Sequence, residues 1–305
     1  MSRTSSLRIG VIHARIKLGS KRANTRKLKS LVASLVDDYK VDLVVLPPYP
    51  FTGPVINYYT PNRLKHAMSN YAERIGRRLP GNSILVNPIE WAVKLNVSIL
   101  VGPMIERAGP RLYITSVLID EYGSIVSKYR KMSLTPEETK YGINRGKDPG
   151  IFYVSSKDAK IGVFIDEDLA YPEVFRFMQK EEVNIVIGFM LPYPSAYFKM
   201  TRDLGHIMTM DKSMVETFLA VRSKEIGIPI LLVGGIVEDV GNHGKLAYMN
   251  TIPVEPDVGV IQEKEKGLEE IDTVFIVDVD VRHSRALPLN PNITETVKRL
   301  CKSLK

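Results

Sequence analysis

Residues 160–176 read KIGVFIDEDLAYPEVFR, and this stretch decides the fold class. The run 161–168 reads as a strand, rich in β-branched and aromatic residues, that stops in three acids: Asp166, Glu167 and Asp168. Pro172 suits the first position of a helix, where its missing N–H costs nothing, so PEVFRFMQKEE (172–182) reads as that helix. A strand feeding a helix is the repeating unit of α/β architecture.

Working outward, the same alternation recurs. LRIGVIH (7–13) reads as a strand. SKRANTRKLKSLVASLVDDY (20–39) reads as a helix, with Leu28, Leu31, Val32, Leu35 and Val36 on one face. VDLVVLP (41–47) is a buried strand that halts at proline. Helices are expected over 62–79 and 83–95, and a strand over 97–103. RLYITSVLID (111–120) and SIVSKYRKM (124–132) flank a tight EYG turn and form a hairpin. Downstream, strands are expected over 184–190, 228–237, 246–254, 258–263 and 272–281, with a helix over 211–227. The pattern predicts one domain over residues 1–281 and a tail, 282–305, that ends in a short helix.

Composition bounds the function. The chain has 305 residues, 44% hydrophobic and 25% charged, which is ordinary globular usage. No apolar run reaches the roughly 18 residues of a membrane helix. Charges interrupt every apolar stretch of the N-terminus, which argues against a signal peptide and predicts a cytoplasmic protein. The lone Cys301 excludes an intrachain disulfide and a multi-cysteine metal site. The five histidines show no ligand spacing, and no glycine-rich nucleotide loop is present, so neither metal nor cofactor is expected. The net charge is +8, and residues 1–40 carry the whole excess, with ten basic residues against two acidic ones. A local basic segment of that kind predicts a solvated face and argues against a nucleic-acid protein.

VDLVVLPPYPFTG (41–53), SKYRKMSLTPEE (127–138) and KIGVFIDEDLAYPEVFR (160–176) together resemble the nitrilase superfamily of carbon–nitrogen hydrolases. Asn24, the pair Arg222 and Glu225, and AYMNTIPVEPDVGVI (247–261) extend the resemblance along nearly the whole chain, in order. The resemblance implies a four-layer α-β-β-α sandwich and a homodimer or higher homo-oligomer. It also implies a Glu–Lys–Cys triad, in which cysteine attacks a nitrile or amide carbon. Glutamate relays protons and lysine steadies the oxyanion.

At the matching positions this chain keeps Lys131 but carries Pro48 for the glutamate and Asp166 for the cysteine. Glu138 resembles a second glutamate found near the family lysine. Proline cannot move a proton, and loss of a general base costs about 10²–10⁴-fold. Asp166 would have to form a mixed anhydride from an amide, a far less favourable path than a thioester. An ion pair between Lys131 and Asp166 is expected in its place. Pro48, Tyr49 and Glu167 are the candidate ligand-binding residues, Asp168 is expected to satisfy backbone donors, and Arg176 to pair with nearby acids. Glu173 is expected to complement the start of its helix.

Three functions follow as expectations. The first is a homologue without amide hydrolysis that binds a small molecule in the triad pocket, or a partner. The second is a divergent hydrolase using Lys131, Asp166 and Glu138. The third is a weak binder of nucleic acid or acidic partners through residues 15–29.

Overall fold

The computed structural model describes residues 6–59, 61–76, 79–191, 212–239, 245–261, 272–281 and 286–288. Two six-stranded mixed sheets lie face to face. The first has the order β15 (Thr273–Asp280), β1 (Ser6–His13), β3 (Leu43–Val45), β4 (Ser98–Ala108), β5 (Arg111–Ile119), β6 (Ile125–Arg130). The second runs β14 (Gly259–Val260), β13 (Ile252–Glu255), β10 (Ile230–Val233), β9 (Ile185–Phe189), β8 (Ala159–Ile165), β7 (Gly150–Val154). Each has three parallel strands at its centre, β1, β3 and β4 in one and β8, β9 and β10 in the other, with antiparallel strands outside. A third, small sheet joins β2 (Arg15–Lys17), β11 (Gly235–Asp239) and β12 (Lys245–Met249).

Helices cover the outer faces. α1 (Lys21–Tyr39) and α4 (Val86–Leu95) bury Leu28, Val32, Leu35 and Trp91 against the first sheet. α6 (Pro172–Lys180) and α7 (Lys212–Ile226) bury Val174, Phe175, Met178, Val215 and Leu219 against the second. Between the sheets lies an apolar layer that includes Ile9, Val11, Val45, Leu100, Val163, Ile165 and Ile187. The layers therefore run α-β-β-α, and the parallel strands read as near-continuous apolar runs because both of their faces are covered. The short helices α2 (Val55–Tyr58), α3 (Pro61–Tyr71) and α5 (Pro136–Lys140) belong to the connections.

Several boundaries differ from the sequence expectation. The helix expected over 62–79 ends at Tyr71, because Glu73 leaves it to bridge Glu106 at the sheet margin. The helix expected from 83 starts at Val86. The apolar runs 228–237 and 246–254 are each two strands in different sheets. The first breaks at Gly234, where a Cβ would lie 2.0 Å from the Met249 carbonyl, so only glycine lets the two chains approach there. Of the tail 282–305, only 286–288 are described. The Leu287 N–H donates to the Ile226 carbonyl and its own carbonyl accepts from Gln179, tying it to α7 and α6. The expected terminal helix and Cys301 lie outside the described residues.

Candidate active site

The site forms where β3 and β8 deliver their carboxyl ends from opposite sheets. In open α/β sheets, crevices at such ends are the usual place for chemistry. β3 runs out through Pro47 and Pro48 into Tyr49, which is 3% exposed with φ of +48°. β8 runs out into Asp166, also 3% exposed, with φ of +47°. Both residues thus sit in the left-handed region, which costs a non-glycine residue about 1–3 kcal/mol and turns the chain sharply at each strand end. Gly102 permits the β3 turn: a Cβ there would lie 2.2 Å from the Pro47 oxygen.

Lys131 follows β6 and is completely buried. Its Nζ donates to Glu138 Oε1 at 2.7 Å, lies 3.5 Å from Asp166 Oδ2, and contacts Glu167 Oε2 closely. The expected pair of Lys131 with Asp166 is thus one edge of a cluster in which the lysine faces three carboxylates. Glu138 is placed by α5. Thr135 caps that helix, its Oγ1 accepting from the Glu138 N–H at 3.1 Å, while Glu138 Oε2 accepts from the Thr135 N–H at 2.9 Å. The signal for this was Thr-Pro-Glu-Glu, a capping box. One glutamate therefore caps a helix and grips the lysine.

Asp168 fulfils its expected role. Its carboxylate accepts from Tyr129 Oη at 2.6 Å, from the Ser133 N–H at 2.8 Å and from the Ile165 N–H at 3.1 Å, locking the β8 terminus to the segment after β6. Arg176 is different: it donates to Gln179 at 3.0 Å, where an acid was expected. Glu173 lies in the first turn of α6.

The electrostatics follow from burial. Desolvation opposes charge on Lys131, but Glu138, Glu167 and Asp166 outweigh it and hold the ammonium well above the usual lysine range. Desolvation raises Asp166 well above the usual carboxylate range, Lys131 only partly offsetting it. Glu138 is pushed up to about 7 by burial, against the pull of Lys131. One ammonium does not fully compensate two buried carboxyls, so Asp166 and Glu138 retain protons more readily than free acids do. Tyr49 is raised well above its ordinary value, by burial first and then by Asp166.

Oxygens of Glu138, Asp166 and Glu167 lie within 4.8 Å of one another, a spacing that suits a metal ion. The Lys131 ammonium already sits against all three and supplies the positive charge a metal would bring. Glu167, with its side chain 19% exposed, is the cluster member that reaches solvent. Outside the cluster, a cavity of about 510 Å³ is lined by Ile75, Leu79, Ile89, Ile125 and Lys128, among others.

Sequence reading missed two buried polar groups. Glu106, fully buried in β4, accepts from Arg130 through both oxygens at 2.7 Å each, from Thr115 at 2.7 Å and from Lys128 at 3.3 Å. His13 Nδ1 lies 3.1 Å from Thr251 Oγ1, which itself accepts from the Gly234 N–H. Nothing in the local patterns around Glu106, Arg130, His13 or Thr251 announces these pairings.

The fold agrees with that of known proteins. The carbon-nitrogen hydrolase pattern matches residues 8–288. This chain belongs to the carbon-nitrogen hydrolase family. It is 24% identical over 284 residues to omega-amidase NIT3 of Saccharomyces cerevisiae, covering 88% of this chain and 87% of that protein. The crystal structure of yeast Nit3, a nitrilase-superfamily member, superposes with a TM-score of 0.67 at 16% identity, covering 96% of this chain and 94% of that one. A carbon-nitrogen hydrolase from Helicobacter pylori gives 0.66 at 17% identity, covering 99% and 94%. These structures share the α-β-β-α sandwich.

Proposed function

We propose that this family member does not hydrolyse amides or nitriles, and that it acts by binding a small molecule or a partner protein. The observation that supports this best is the engagement of Lys131. A lysine that must steady an oxyanion needs a free N–H aimed at the reacting atom. Here Nζ faces Glu138, Asp166 and Glu167, and the cluster is closed except at Glu167. By the resemblance, Pro48 takes the place of the base and Asp166 that of the nucleophile. A ligand would meet the centre at Glu167, beside Tyr49 and Pro48, or enter the 510 Å³ cavity, whose volume suits a small molecule.

The second reading, a divergent hydrolase, has its own support. Asp166 stands at a strand terminus in a left-handed turn, 3.5 Å from Lys131 and with Glu138 against the same ammonium. The third draws little support, because Lys21 pairs with Glu73 at 2.7 Å and Lys27 with Asp272 at 3.0 Å. A homodimer or higher homo-oligomer remains part of the leading reading, carried by the resemblance, and a cytoplasmic location is proposed with it. Among the described residues, no helix is long and apolar enough to cross a membrane.

Ammonia release from a panel of amides and nitriles, at high protein concentration and with Lys131→Ala alongside, tests the reading. The expected result is no difference between the two proteins. Release that depends on Lys131 overturns it in favour of the hydrolase.

A further inference from the structure

Three conditions favour amide formation between an amine and a carboxylic acid inside a protein. The two groups must be held in near-attack range, water must be excluded, and an adjacent group must carry the protons. At the carboxyl end of β8 all three coincide. Lys131 Nζ lies 3.5 Å from Asp166 Oδ2, so the amine stands against the carboxyl whose carbon it would attack. The two residues are 0% and 3% exposed. Glu138, 1% exposed, holds the same Nζ at 2.7 Å and is itself anchored by the Thr135 N–H.

We propose that Lys131 and Asp166 condense in the folded chain to an amide cross-link between the strand β6 segment and the end of β8, with Glu138 moving the protons.

The step balances without any other reactant. Glu138 accepts a proton from the Lys131 ammonium, and the freed Nζ lone pair attacks Asp166 Cγ. The Nζ–Cγ bond forms and one Cγ–Oδ bond breaks. The departing oxygen leaves as water, carrying the carboxylic acid proton and a second proton from Nζ relayed through Glu138. Nothing is oxidised or reduced.

The geometry selects Asp166 among the three carboxyls. An ionised carboxylate is a poor electrophile, and burial holds the Asp166 carboxyl well above the usual carboxylate range, so it retains a proton. Glu138 has one oxygen on Lys131 and the other on the Thr135 N–H, the posture of a proton carrier. Glu167 reaches solvent, which opposes condensation. The left-handed backbone at Asp166 and its neighbour Asp168, pinned by three donors, hold the acid in place against the lysine.

This inference rests on the non-hydrolytic reading, since a cross-linked Lys131 cannot serve turnover. The test is intact mass of the full-length chain, followed by peptide mapping. The expected result is a mass lower by one water and a branched peptide joining the Lys131 and Asp166 segments. Lys131→Arg and Asp166→Ala should show the full sequence mass, and Glu138→Gln should form the link at least tenfold more slowly. The wild-type chain decides the matter even if a variant fails to fold. An undiminished mass after prolonged incubation, or a water loss that maps to another pair, overturns the cross-link. Ammonia release is read separately: an intact mass without Lys131-dependent release sinks only the cross-link, whereas Lys131-dependent release sinks the non-hydrolytic reading as well.

Discussion

Replacing Arg130 by methionine should destabilise the protein in a pH-dependent way, and the size follows from Glu106. That carboxylate is fully buried and takes two hydrogen bonds from Arg130 at 2.7 Å. Burial raises its pKa, but Arg130, Thr115 and Lys128 more than compensate and hold it below its usual range. Arg130→Met leaves Thr115 and the half-exposed Lys128 as its remaining partners. Breaking a buried pair costs about 3–5 kcal/mol. An orphaned carboxyl can escape by taking a proton, and that caps the penalty. At pH 7, protonating a glutamate with an unfolded pKa of about 4.3 costs about 4 kcal/mol, at 1.36 kcal/mol per pH unit. At pH 5 the cap falls to about 1 kcal/mol by the same conversion. Loss of the Arg130 stack on Tyr113, at 3.9 Å, adds about 0.5–1 kcal/mol at either pH. The sign is that of a carboxyl whose folded pKa has moved from depressed to raised. The folded variant then binds more protons than the unfolded chain above pH 4.3, so its stability falls as pH rises. Urea unfolding at pH 5, 6 and 7 should show a loss of about 1.5–2 kcal/mol at pH 5 growing to about 3.5–5 at pH 7. Adding Glu106→Gln should flatten the growth. A loss that stays constant across that range would refute the reasoning.

Two further outcomes are expected. Burial lowers the pKa of His13 to about 4, against an opposing pull from Asp272. At this site the unfolded chain therefore binds more protons between about pH 4 and 6.5, and the His13 contribution to stability should fall by about 3 kcal/mol as pH drops through that window; Glu138 and Asp166 titrate with the opposite sign, so it is read in calorimetric scans as the difference between wild type and His13→Gln. Asn24 accepts from the Lys17 N–H at 2.9 Å and donates to the Lys17 and Phe51 carbonyls at 2.8 Å each, so Asn24→Ala should cost about 2–4 kcal/mol in chemical denaturation; a change below 1 would show that solvent takes over these bonds.

Much of this protein was legible from local pattern. The β8 strand, its acidic end and the proline-started α6 all declare themselves within 160–176, because period, charge and proline placement act over a few residues. The same holds for the hairpin of β5 and β6. Lys131, Asp166 and Glu138 could be singled out by resemblance. The sequence alone could not show that all three carboxylates crowd one ammonium. Glu138 and Lys131 are seven residues apart, but Asp166 arrives from the other sheet.

Where sequence reading went astray, long-range packing had overruled local signal. An apolar run such as 228–237 carries no mark of the glycine at which it changes sheets; the close approach of Met249 decides that. The 62–79 helix stops early because Glu73 is drawn to β4 and to Lys21. The sequence by itself determined the layers, through the alternation of buried strand and amphipathic helix, and the chemical types available at the strand ends. Only the tertiary structure decided which charges meet. Ion pairing depends on distances of a few ångströms between groups far apart in the chain, and on a burial that makes each such distance count.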